Sequence, residues 1–252
     1  MSQKTAIVTG GSRGLGREMA LSLAKDGVDV IISYHSNKEK ANELVREIEL
    51  LGQDVIAFPF DANDHTTGQE FIEKAAAYLE KKNGSPNFDF LINNAGTGAY
   101  NLVADTTEEQ FDEMMNVHLK SVYFLTQAAL PFLNDSGRII NISSGLARFS
   151  LPGMSAYAMM KGGIEVFTRY LAKELGERKI TANVVAPGAI ATDFAGGTNR
   201  DNEEKRALIA NITTLGRVGE IDDIDGVVAF LCSDKAGWIN GQRIEVSGGM
   251  LL

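Results

Sequence analysis

Short runs of β-branched and other apolar residues alternate along the chain with longer stretches whose apolar positions recur every three or four residues. The runs KTAIVT, VDVIIS, DVIAFPF, FDFLIN, RIINIS, ITANVVAP and QRIEVS read as seven strands. Helical spacing marks GREMALSLAKDG, KEKANELVREIELLG, a stretch near 65–81, a long stretch over about 107–133, the stretch after Ser155, and DDIDGVVAFLC. Strands and helices in this order predict an α/β fold, with a doubly wound parallel seven-stranded sheet and helices on both faces. No repeat, linker or composition shift divides the chain, so a single domain over 1–252 is expected.

Punctuation supports these boundaries. Thr107 followed by Gln110 has the capping-box pattern, and Ser155 precedes the helix that carries Tyr157. Gly27, Gly52 and Gly176 each follow a helical run, where a left-handed residue commonly ends the helix. The stretch 188–203 is rich in Gly, Thr and Asn and long for a connection, so 188–213 is expected to act as a substrate-binding loop or lid.

Composition then narrows the partners. Hydrophobic residues make up 44% of the chain, and 24 Lys+Arg against 33 Asp+Glu leave a net charge of -9. That sign opposes binding to nucleic acid or an anionic membrane, and neither is expected as a partner. The opening MSQKTAIVTGG passes straight into a strand-like run, which leaves no room for a signal peptide, and charges or glycines break every apolar run short of a membrane span. A cytoplasmic location is therefore expected. Cys232, the only cysteine, falls within VVAFLC and is expected to be a buried inert thiol.

Candidate chemistry centres on SAYAMMKGG. Tyr157 and Lys161 stand four residues apart, on one face of a helix, so the Lys161 ammonium is expected to favour ionisation of the phenol. That would bring Tyr157 toward the range useful for moving protons, with Ser144 close by at the end of RIINISS. The first strand runs into TGGSRGLG, where glycines permit a tight turn and close approach of a pyrophosphate to the helix N-terminus. After the second strand the chain reads Ser33-Tyr34-His35-Ser36-Asn37-Lys38, with no acid until Glu39. A ribose carboxylate partner is thus missing and Arg13 is within reach, so NADP(H) is expected over NAD(H); solvated surface roles for Arg13 and Lys38 are the alternative. His35, His65 and His118 have no metal-ligand spacing and no G-x-S-x-G is present, so neither a metal site nor a hydrolase triad is expected.

Taken together, TGGSRGLG, Asp61, Asn93-Asn94-Ala95-Gly96, Asn116, Ser144, Tyr157, Lys161 and Pro187-Gly188 with Thr192 resemble the short-chain dehydrogenase/reductases over the whole chain. The match is to the single-domain Rossmann branch, and the C-terminal stretch is similar to 3-oxoacyl-carrier-protein reductases, except that Ser247 stands where Asp is common. The resemblance implies that Ser144 binds the substrate oxygen and Tyr157 passes the proton. Lys161 would hold the nicotinamide ribose and lower the tyrosine pKa, and Asn116 would keep a water near Lys161. It further implies a cofactor site of Gly10, Ser12, Arg13, Gly14, Leu15, Gly16, His35, Ser36, Asn37, Asp61, Ala62, Asn94, Ala95, Gly96, Tyr157, Lys161, Pro187, Gly188, Ile190 and Thr192. Homotetramers are common in the family, and one is expected here.

The reaction expected is reduction of a ketone, 3-oxoacyl-like or another small carbonyl, to a secondary alcohol. An NAD-dependent alcohol, sugar or steroid dehydrogenase is the alternative, and a cofactor-binding scaffold without turnover is a remoter one. Leu146, Phe149, Met154 and Phe194 could wall an apolar substrate pocket, and Arg148 either meets an anionic group or is a surface charge. The acidic chain gives no support to a carrier-protein partner.

Overall fold

Each apolar run becomes a strand, and the strands lie parallel in one sheet. The computed structural model describes residues 3–64 and 66–252; His65 lies outside the described residues. The strands are β1 Thr5–Val8, β2 Asp29–Tyr34, β3 Val55–Pro59, β4 Phe88–Asn93, β5 Leu133–Ile142, β6 Thr181–Pro187 and β7 Arg243–Val246. The helices are α1 Gly14–Lys25, α2 Lys38–Leu50, α3 Thr66–Asn83, α4 Glu108–Met115, α5 Ser121–Ala129, α6 Ser155–Glu174, α7 Thr198–Asp201, α8 Glu203–Asn211 and α9 Asp222–Cys232.

The spatial order is β3-β2-β1-β4-β5-β6-β7, so the winding direction reverses between β1 and β4, which pair in the register Ala6↔Phe90. That reversal opens a crevice at the carboxyl ends of the two strands, the usual ligand position in such sheets. Alternation of side chains fills both faces. Ala6, Val8, Val30 and Ile32 pack on one face with Met19, Leu44, Ile48 and Val228, while Ile7, Ile31 and Leu91 pack on the other with Phe71, Leu79, Leu125 and Leu171. No described helix is long and apolar enough to cross a membrane.

Several boundaries differ from expectation. The long helix over 107–133 is divided: α4 ends at Met115, a π turn Asn116–Lys120 follows in which Ser121 N–H reaches Asn116 O, and α5 stops at Ala129. Pro131 ends the apolar run as a helix, and β5 begins two residues later, well before RIINIS. The Thr107–Gln110 capping box forms, but Ser155 is the first residue of α6 and caps nothing. Gly27 and Gly52 are left-handed; Gly176 is not, because a short 3-10 turn continues through it and Lys179 takes the left-handed conformation. The stretch 188–203 is less irregular than its composition implies, since it contains α7 and leads into α8, where Asn202 Oδ1 accepts from Lys205 N–H.

Candidate active site

The glycine loop joins β1 to α1 beside the end of β4. Gly10 and Gly14 have φ of 65° and 54°, a region that favours glycine. A Cβ at Gly16 would overlap the Gly10 carbonyl and lie 2.5 Å from Asn94 Nδ2, so only glycine fits there. No described side chain caps α1, leaving its first N–H groups open toward the crevice. Ser12 is buried and Leu15 packs against the core, which fixes the loop from below. These features fit a dinucleotide pyrophosphate.

Two hydroxyls, Thr9 at the head of the motif and Ser33 on β2, hold this cradle. Thr9 Oγ1 accepts from Asn94 N–H at 2.9 Å and Ala95 N–H at 3.0 Å, and Ser33 Oγ accepts from Gly10 N–H at 2.9 Å. Asn94 turns its amide inward, donating to Thr9 O at 2.9 Å, and thus braces the loop. Asn37 Oδ1 accepts from Lys40 N–H and caps α2, while Ser36 is exposed beside it. His35 Nε2 lies 3.7 Å from Asp61 Oδ2, and Ala62 is partly buried next to Asp61. Arg13, expected to reach a ribose phosphate, is paired with Asp193 at 2.9 Å across the crevice. Beyond β6, Pro187 and Gly188 run along Val246 and Ser247, Ile190 is buried, and Thr192 lies close to Gly14.

Ser144, Tyr157 and Lys161 come together at the far side of the crevice. Tyr157 and Lys161 occupy the first two turns of α6 and are only 8% and 5% exposed. Lys161 Nζ donates to Ile142 O at 2.8 Å and stands 5.6 Å from the centre of the Tyr157 ring. Burial lowers its pKa to about 8. The lysine does not lower the tyrosine as its spacing predicts: burial dominates and pushes Tyr157 up to about 12, opposed only by a hydrogen bond from Ser144. Asn116 opens the π turn, which packs against α6.

His118, in the same turn, is more than a filler of the core. Its ring meets Tyr157 edge-on at 4.9 Å, and Nε2 lies 2.7 Å from Thr97 O, linking the stretch after Gly96 to the tyrosine. Burial first, then the Lys161 charge, holds the imidazole well below its usual pKa against the pull of Thr97 O, so it is neutral. Elsewhere, no described group of three or more His, Cys, Asp or Glu is arranged to hold a metal ion.

The proposed substrate walls divide. Leu146 and Met154 pack with Tyr157 and Met114, and the Phe194 ring centre lies 6.1 Å from that of Tyr157. A cavity of about 10 Å³ beside the tyrosine is lined by Ala99, Asn101, Gln110, Met114 and Gly153. Phe149 instead covers Gly145, with the Arg148 guanidinium 5.3 Å from its ring. Of the two roles open to Arg148, an anionic-group contact or a surface charge, the structure shows neither in free form: its guanidinium is engaged by Glu245 at 2.7 and 2.8 Å and by the carbonyls of Met250 and Leu251. Its charge partner is distant in sequence, so nothing local could have shown the pairing.

The profile of the family described as Enoyl-(Acyl carrier protein) reductase matches residues 10–251. The 3-oxoacyl-[acyl-carrier-protein] reductase FabG of Staphylococcus aureus is 39% identical over 99% of this chain and 98% of its own. The short chain dehydrogenase mdpC of Emericella nidulans is 36% identical over 98% and 94%. Among solved structures, the reductase LugOII, which catalyses keto-reduction in lugdunomycin biosynthesis, superposes with a TM-score of 0.93 at 39% identity, covering 99% of this chain and 98% of that one. The angucycline C-6 ketoreductase LanV with bound NADP gives 0.93 at 38% identity, covering 98% and 95%.

Proposed function

The chain belongs to the short-chain dehydrogenase/reductase family, and we propose that it is an NADP-dependent reductase converting a ketone to a secondary alcohol. The observation that carries this reading is the meeting of half-buried Ser144 with buried Tyr157 and Lys161 beside a glycine cradle that fits a dinucleotide. Bound NADP(H) supplies the hydride. Gly10, Ser12, Gly14, Leu15 and Gly16 form the pyrophosphate seat. Asp61 and Ala62 would flank the adenine, Asn94, Ala95 and Gly96 would line the cleft, and Pro187, Gly188, Ile190 and Thr192 would hold the nicotinamide end. His35, Ser36 and Asn37 would face the ribose phosphate, and Arg13, paired with Asp193 at 2.9 Å, would join them on releasing that carboxylate. The NADP bound to LanV and the keto-reduction named for LugOII support cofactor and reaction.

Ser144 and Tyr157 donate hydrogen bonds to the carbonyl oxygen, so negative charge developing there meets fixed donors in a site largely shut off from water. Tyr157 then gives up its proton. A phenol pushed up to about 12 keeps its proton at neutral pH, which suits a donor in reduction better than a base in oxidation. Lys161, mostly protonated at neutral pH with a pKa of about 8, holds the ribose and offsets charge left on the tyrosine. Asn116 keeps a water near Lys161 through which the proton is restored.

Residues 188–213 form the substrate loop of a single 1–252 unit, with Phe194 over the tyrosine. Because Glu245 neutralises Arg148, a neutral carbonyl suits the pocket better than an anionic one. Tyr123 and Phe124 of α5 and Val166 and Tyr170 of α6 are exposed, an apolar face suited to two-fold pairing within a homotetramer. Fluorescence titration with NADPH and NADH, followed by assay on ethyl acetoacetate, decalone and acetoacetyl-CoA, tests the proposal. Micromolar NADPH binding with ketone reduction is expected; binding of neither cofactor, or no turnover of any ketone, would overturn it.

A further inference from the structure

We infer that Arg243 is a positioning residue for Ser144, aimed by Glu165 and Glu245; the inference rests on the role given to Ser144 above. Arg243 lies on β7, and its guanidinium reaches three acceptors on three parts of the chain. Nε donates to Glu165 Oε1 at 2.7 Å, Nη1 to Glu245 Oε2 at 2.7 Å, and Nη2 to the backbone carbonyl of Ser144 at 3.3 Å. Glu165 lies on α6 one turn past Lys161, and its Oε1 also accepts from Ser143 Oγ at 2.8 Å. Ser143 Oγ in turn lies 3.3 Å from Lys161 O. A single side chain thus joins the end of β5, the helix bearing Tyr157 and Lys161, and the last strand.

Charge and burial make this arrangement stiff. The side chains of Arg243, Glu165 and Glu245 are 23%, 14% and 17% exposed. Arg148 completes the group by pairing with Glu245, so two carboxylates balance two guanidinium groups. Ser144 itself sits past the end of β5 in extended backbone, with φ of -158° and ψ of 151°. Its hydroxyl accepts from Leu146 N–H at 3.2 Å, and its carbonyl accepts from Ala147 N–H at 3.1 Å and from Arg243. Fixing that carbonyl fixes the backbone from which the Ser144 side chain projects, and the bond from Leu146 N–H holds the hydroxyl itself. Lysine would retain the charge but not a planar fork that reaches three acceptors.

The test uses the full chain with NADPH and ethyl acetoacetate, and expresses kcat per NADPH-binding site so that misfolded protein is not counted. Arg243→Lys is expected to lower kcat about 10-fold while the NADPH Kd stays within about 2-fold, because an error of around 1 Å at a reacting group costs about 100-fold and this tether is one of two on the carbonyl. Arg243→Gln combined with Glu165→Gln removes both charges of the pair, avoids a lone buried ion, and should show the same split. Unchanged kcat per site in both variants overturns the inference, as does a kcat that falls only in step with NADPH affinity. Ser144→Ala separates the two claims. If it stays active, the reading of Ser144 fails and the inference with it; if it is inactive while both Arg243 variants are unimpaired, only the inference fails.

Discussion

Thr9→Val removes one hydroxyl from the junction between the glycine loop and the stretch after β4, and its cost can be worked from the hydrogen bonds it deletes. Thr9 is 2% exposed, and its Oγ1 accepts from the N–H groups of Asn94 and Ala95 at 2.9 and 3.0 Å. Valine fills nearly the same space but accepts nothing. Both N–H groups would then lack the partner that the structure gives them, at about 1–3 kcal/mol each. Backbone pairing of Thr9 N–H with Ile92 O at 3.0 Å survives the change. A total loss of about 2–6 kcal/mol is expected, with Tm lowered by about 2–4 °C for each kcal/mol in a chain of this size. Urea unfolding measures the first and a thermal melt the second. NADPH should also bind more weakly, because Asn94 and Ala95 lie along the proposed cofactor cleft. Thr9→Ser, which keeps the acceptor, should recover most of the stability. A valine variant within about 0.5 kcal/mol of the parent, the range of an ordinary surface change, would refute the bracing role.

Two further outcomes follow from the packing and the charges. Gly16→Ala places a Cβ against the backbone carbonyl of Gly10, which cannot rotate away, so calorimetry should show NADPH affinity falling at least about 10-fold along with a stability loss of about 1–3 kcal/mol. Arg148, followed by Arg243 and Ser247, holds the Glu245 carboxylate at a pKa of about 2. Between its unfolded value near 4.3 and about 2 the unfolded chain binds more protons, so this stabilisation is complete above the unfolded value and is lost as pH falls through 2. Glu245→Gln should therefore cost about 1–3 kcal/mol near neutrality, with the difference from the parent closing toward pH 2 in a pH series of urea melts.

The parts of the site that were legible in the sequence are those whose residues are neighbours in it. Tyr157 and Lys161 share a helical face by their spacing alone, and the glycines of the first loop announce a tight turn between a strand and a helix. The sheet was legible too, because parallel strands buried on both faces leave long apolar runs. What could not be read depends on partners far apart in the chain. Thr9 meets Asn94 across 85 residues, and Arg148 meets Glu245 across 97. Arg243 serves Ser144 from 99 residues away, and as an arginine in a short terminal strand it carries no local signal. The tyrosine pKa is not legible for a related reason: spacing shows that a cation is near but not that burial outweighs it, nor that Lys161 Nζ is turned toward Ile142 O. The division near Asn116 carries no local signal because a π turn inserts a single residue and the chain stays helical on both sides, with apolar positions every three or four residues in each part.

The central claim is that Tyr157 delivers the proton while the cofactor site stands independently of it. Tyr157→Phe keeps the ring that His118 meets edge-on at 4.9 Å and removes only the hydroxyl. Turnover of ethyl acetoacetate by this variant with NADPH is expected to fall at least about 100-fold, the usual contribution of a general acid, while the NADPH Kd changes by no more than about 3-fold. Turnover within about 10-fold of the parent at unchanged NADPH affinity would contradict the account.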